Sequence, residues 1–146
     1  MSSTISKNSQ NIADQLHSAA IHLLRKLRRE DSSSGLNAPR LSALSVVVFA
    51  GPVTLGDLAA AEQVRPPTMT RIVDALAALG HVTRSKGGRD GRSTYITATP
   101  QGRKLLMQGR ERRIRALARQ IAALSPGQRT TLQDAAEILK QVIDAI

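Results

Sequence analysis

Residues 65–80 read RPPTMTRIVDALAALG, and no other stretch limits the fold as much. A residue that precedes proline is pushed out of the helical region, whereas proline itself suits the first helical turn. The pair therefore predicts Pro66 just outside a helix and Pro67 at its first position, with Gly80 as the stop. Inside that helix Met69, Ile72, Val73, Leu76 and Leu79 recur at helical spacing and define a buried face. At ~100° per residue the opposite face carries Pro67, Arg71, Asp74 and Ala78, with Thr70 at its margin. The entrance is stiff, and Arg65 and Arg71 flank it.

The neighbouring segments narrow the architecture. Thr54 with Asp57 resembles a capping box opening a short helix, LGDLAAAE, and QVR then leads into the stretch above. Beyond Gly80, VTRS and STYITAT are β-prone runs separated by KGGRDGR, which predicts a two-stranded hairpin with a long basic tip. Upstream, residues 40–50 (apolar part LSALSVVVFA) are hydrophobic almost all round, a central helix from Pro39 that Gly51-Pro52 stops. Ile12, Leu16, Ala19, Leu23 and Leu27 place one apolar stripe on a first helix over 11–30, with DSSSGLNAP as the loop after it. Thr99-Pro100 opens a long helix, and Ser125-Pro126-Gly127-Gln128 is a capping box for a last one striped by Leu132, Ala136, Leu139, Ile143 and Ile146. The chain has one Phe, one Tyr and no Trp, so its core must be aliphatic, which suits packed helices. The expected fold is mainly α with a small β-hairpin. A winged helix-turn-helix over 38–99 is flanked by helices at 11–30 and 100–146, all within one domain (11–146) after a flexible polar tail (1–10).

Several function classes drop out. There is no cysteine, which removes disulfides, thiolate zinc sites and thiol redox sensing. The longest apolar run, residues 44–51, is far short of the ~20 residues of a membrane span. The N-terminal residues lack the apolar core of a secretory signal. A cytoplasmic protein without a membrane partner is expected. No Gly-rich phosphate loop with its lysine, no HExxH and no serine elbow is present, so neither an enzyme nor a cofactor is expected. His17 and His22 lie ~140° apart around a helix and His81 is distant, a poor set for a metal.

A formal charge of +10 and a sequence pI near 11.4 favour polyanionic partners. In helix-turn-helix proteins the N-terminal part of the second helix meets base edges. There proline offers a rigid apolar surface to a thymine methyl, and the free amides after it would face a phosphate. Lys86, Arg89 and Arg92 cluster at the hairpin tip, a density suited to a narrow, electronegative minor groove. Asp90 opposes them, either orienting the Arg92 guanidinium or closing an Asx-turn.

Two runs, VTLGDLAAAEQVRPPTMTRIVDALAALGHVTR and RDGRSTYITATPQGRKLL, make the chain resemble the multiple-antibiotic-resistance regulator (MarR) family of bacterial transcription factors. The second contains the family's Asp-x-Arg wing signature as Asp90-Gly91-Arg92, then Ile96, Thr97, Thr99 and Gly102 in its following run. The likeness extends over about 11–146, in the terminal helices by periodicity only. It implies that Thr68, Thr70 and Arg71 meet the major groove and that Arg92 enters the minor groove. The double proline is a local variation, and His81, where the family usually has an apolar residue, is read as structural. To these the residue reading adds Pro67 in the major groove, Arg89 in the minor groove, and Thr54, Arg65 and Lys86 on phosphates. The resemblance further implies a homodimer built from the terminal helices, on double-stranded DNA carrying a pseudo-palindromic operator. It also implies a small phenolic or aromatic effector, for which His17, His22 and Arg25 are candidate ligands. The expected function is a dimeric, sequence-specific transcriptional regulator, a repressor rather than an activator. The alternative is a basic winged-helix protein acting as a non-specific architectural DNA binder or an assembly module. The run Arg103, Lys104, Arg110, Arg112, Arg113 and Arg115, against Glu111 alone, either touches phosphates near the wing or is a solvated face, the latter being preferred over 110–115.

Overall fold

The structure, a computed structural model, describes residues 5–89 and 91–146. Two compact units are distinguished, Asp31–Glu111 and the residues up to Glu30 together with Arg112–Ile146.

The first unit is built on α2 (Ala38–Ala50), α3 (Leu55–Ala61) and α4 (Pro66–Ala78), closed by a three-stranded antiparallel sheet. Asn37 caps α2 by accepting the Arg40 amide at 3.1 Å, which leaves Pro39 within the first turn. Thr54 caps α3 by accepting the Asp57 amide at 3.1 Å. The sheet runs in the order β1–β3–β2, with β1 Val53–Thr54, β2 Val82–Gly87 and β3 Ser93–Ala98. The expected two-stranded hairpin thus gains a third strand. Val53 pairs with Ile96 and Thr54 with Tyr95, so the two residues that lead into α3 are held on the sheet edge.

Ala43, Leu44, Val47, Val48, Leu58, Ala59, Met69, Val73, Leu76, Val82, Ile96 and Leu106 form one aliphatic core. Burying each larger side chain there contributes roughly 1.5–3 kcal/mol. The α4 stripe is buried as expected at Met69, Val73 and Leu76 and partly at Ile72. Leu79 departs from it. It caps the helix and stays 47% exposed, because helical spacing ends at Ala78. Past it the chain closes a Schellman turn, with the His81 amide donating to Leu76 at 2.9 Å and the Gly80 amide to Ala77 at 3.0 Å. Gly80 has φ of 78°, a conformation L side chains resist.

The second unit holds α1 (Lys7–Leu27), the C-terminal part of α5 (Pro100–Ala122) and α6 (Pro126–Asp144). The first helix begins earlier than expected, because Ser6 accepts the Ser9 amide and caps it inside the polar segment. Its far end passes into a 3-10 turn, Arg28–Ser34, where part of a loop was expected. The capping box of α6 is complete, with the Ser125 amide on Gln128 Oε1 (3.0 Å) and the Gln128 amide on Ser125 Oγ (3.2 Å). Arg129 donates to the carbonyls of Ala122 and Leu124, closing the end of α5. Neither α1 nor α6 buries a residue among those described, and Ile12, Ile138 and Ile143 remain more than half exposed.

Candidate nucleic-acid interface

Helix α4 carries the first half of the site. Arg65 occupies the N-cap in an extended conformation (φ −70°, ψ 145°), as a residue before proline should. Pro66 and Pro67 then fill the first two helical positions, one residue earlier than the sequence predicts. The restriction that Pro67 places on Pro66 is a bias, and it yields because neither position needs an amide for the helix.

This shift changes the chemistry of the entrance. Both prolines lack an amide hydrogen, and the next amide, of Thr68, donates to the Arg65 carbonyl at 3.0 Å. The free amides expected to face a phosphate are therefore not there. What α4 presents at its start is two pyrrolidine rings, the exposed Thr68 side chain and Arg65. One turn on, Thr70 is half-buried, and its hydroxyl donates to the Pro66 carbonyl at 3.0 Å, leaving its oxygen free only to accept. Arg71, Asp74 and Ala78 share the exposed face with Pro67, as expected.

The hairpin carries the second half. Register pairs Val82 with Ala98 at its base and Gly87 with Ser93 at its tip. Lys86 is exposed near the end of β2, Arg89 in the turn that follows it, and Arg92 just before β3. Asp90 lies outside the described residues. Gly87 packs against the Tyr95 ring, where an added Cβ would come within 3.1 Å.

Between 65 and 92 there are six Lys and Arg and two Asp. One acid, Asp74, accepts a hydrogen bond from Arg84 Nη2 on β2, an ion pair that sequence reasoning missed. It joins residues ten apart on different elements, where no helical or strand spacing signals it. Thr99 was expected only as a cap. Its hydroxyl accepts the Gly102 amide at 3.0 Å and donates to the Gly80 carbonyl at 2.6 Å, pinning the end of α4 to the start of α5. That joint lies at the base of the hairpin, so Arg103 and Lys104 start from the end opposite the tip, about 17–20 Å away along a six-residue strand.

Thr54 sits at the α3 N-cap, half-buried, its hydroxyl oxygen accepting the Asp57 amide and its proton without an acceptor among the described residues. His17, His22 and Arg25 are exposed on α1. An open groove in the same unit is lined by Leu124, Gly127, Gln128, Thr131, Leu132 and Ala135, and by none of those three. Arg112 is half-buried and donates from Nε to the Glu30 carbonyl at 3.2 Å, so the basic run is not uniformly solvated over 110–115.

Comparison with known proteins gives one consistent result. The model of the MarR family matches residues 36–94. An HTH-type transcriptional regulator of Mycobacterium tuberculosis is 35% identical over 133 residues, 91% of this chain and 93% of its own length. Among solved structures, a transcriptional regulator from Thermotoga maritima superposes with a TM-score of 0.82 at 23% identity, covering 93% of this chain and 96% of its own. A MarR family protein from Bacillus stearothermophilus gives 0.78 at 21%, covering 97% and 99%.

Proposed function

The chain belongs to the MarR family of transcriptional regulators, and from that premise we propose that it is a dimeric, sequence-specific DNA reader acting as a repressor. The observation that carries this reading is the run of exposed cations along α4 and the hairpin, ending in a helix entrance without amide donors. A cationic frame binds any duplex; a rigid apolar entrance discriminates among base edges.

In this reading Pro67, Thr68, Thr70 and Arg71 enter the major groove. Pro67 lies against a thymine methyl, and Arg71 has the fork geometry that favours guanine O6 and N7. Thr70, its proton committed to Pro66, accepts from a cytosine or adenine amino group. Arg89 and Arg92 occupy the minor groove, where Arg is favoured by narrow A·T segments, with Asp90 orienting Arg92. Thr54, Arg65 and Lys86 hold phosphates. The apolar stripes of α1 and α6 close a two-fold dimer, which sets half-sites about one helical turn (~34–36 Å) apart. A small aromatic anion seated near Arg25, His17 and His22 relieves repression by preferring a dimer with misplaced readers.

The test is selection of genomic fragments by the purified protein at physiological salt, followed by footprinting. We expect one protected pseudo-palindrome with half-sites a turn apart, preferred over random DNA by ~10³ or more. Uniform retention of all fragments would replace this reading with a non-specific architectural role.

A further inference from the structure

The Asp74–Arg84 pair poses a physical problem. Asp74 is the one carboxylate on α4 and stands on the exposed face that holds Pro67 and Arg71. A negative charge beside a polyanion weakens the electrostatic attraction to every sequence alike, and this carboxylate is already engaged by Arg84 rather than open to a base. Nor does stability account for it. The two side chains are 58% and 35% exposed, and such a pair contributes little to folding once solvent screens it.

Geometry supplies an explanation. Val82, Arg84 and Lys86 alternate onto one face of β2, and Val82 is buried in the core while Lys86 approaches the tip. Arg84 therefore leaves the sheet at the rim of the core, opposite the buried Ile96. Asp74 lies one turn beyond Arg71, so the ion pair bridges the middle of α4 to the middle of the wing. Outward of that bridge the strand register continues to Gly87.

We propose that Asp74 and Arg84 are positioning residues that fix the angle between α4 and the wing, so that both reach adjacent grooves of one site together. The idea rests on the DNA-reading role proposed above. Held by the pair, helix and wing meet DNA as one rigid reader; without it, the wing samples orientations and loses its groove whenever α4 is seated. The carboxylate thus weakens non-specific binding and strengthens specific binding, and selectivity gains on both counts.

The sign of one substitution decides the matter. Asp74→Asn removes the charge and little volume. Electrostatics alone predicts tighter binding to all DNA. Our proposal predicts that affinity for the selected operator falls about two- to fivefold, as far as a surface pair can bias the orientation of the wing. Affinity for random duplex should hold or rise, and Tm should stay within about 4 °C. Arg84→Gln should lose the same specific affinity, and Asp74→Asn with Arg84→Gln should add nothing further, because the two act as a unit. Arg84→Lys should restore most of it, since the pair is made through a single nitrogen–oxygen contact. In the free protein, hydrogen exchange over 82–98 should be faster in Asp74→Asn than in the wild type. Operator affinity that is unchanged or tighter in Asp74→Asn overturns the proposal while leaving the DNA-reading role intact. So does an Arg84→Gln variant weakened equally on operator and random DNA with a salt slope reduced by about one, the mark of a plain phosphate contact. A wild-type protein with no selective site removes both readings together.

Discussion

At the scale of single residues, the joint between α4 and α5 concentrates the sharpest constraints. A Cβ on Gly102 would sit 2.1 Å from the His81 carbonyl oxygen, a backbone atom that cannot turn aside. Gly102→Ala is expected to cost roughly 1–3 kcal/mol or more, read as a fall in Tm of at least a few degrees. Unchanged Tm would mean that helix and turn can part without penalty. His81 itself is 7% exposed, and its Nδ1 has no hydrogen-bond partner among the described residues. Such an atom loses its water on folding and gains nothing in return. His81→Leu is therefore expected to stabilise the protein by about 1 kcal/mol in denaturant titration, and a loss instead would reveal a partner for that nitrogen. The sequence marks His81 as unusual for its place and Thr99 as a cap. It does not disclose that Thr99 also donates to Gly80, because that bond spans nineteen residues.

At the scale of elements, legibility follows how local the cause is. The capping box at Ser125 and Gln128 is written within four residues, and the structure places it there. The central helix likewise starts within a residue of Pro39, since Asn37 caps it. The two-residue strand Val53–Thr54 leaves no pattern to read; it is a strand only because β3 lies beside it. The start of α4 is off by one because two prolines compete under the same rule, and the residue before them wins the N-cap. With no free amide there, specificity at the first contacted bases is expected to rest on apolar fit. Pro67→Ser should leave Tm nearly unchanged and relax preference at one thymine by about 1 kcal/mol or less, measured by competition with uracil-substituted operators. The wing behaves differently. Arg92→Ala is expected to weaken binding at A·T-flanked operators more than at G·C-flanked ones, and equal losses would move Arg92 from the minor groove to the backbone.

For the whole molecule, the terminal helices pose the clearest demand. Ile12, Leu16, Leu23, Leu132 and Ile143 are all exposed in the single chain, although α1 and α6 are long and well capped. Periodicity made these stripes legible; what covers them was not, because one sequence does not state what its apolar faces meet. If a second chain covers them, Leu132→Asp with Ile143→Asp should convert a dimer to a monomer in sedimentation and lower operator affinity at least tenfold, with Tm concentration-dependent in the wild type. A wild-type monomer at micromolar concentration would leave the stripes needing another partner.

The division of the chain also orders its folding. One unit is a continuous run, Asp31–Glu111, whereas the other joins the residues up to Glu30 to Arg112–Ile146. The continuous unit closes through contacts within one stretch of chain, while the divided unit must bring together segments that the whole of the first unit separates, at a higher cost in loop entropy. The first is therefore expected to form early, and by forming it shortens the distance that the second has left to close.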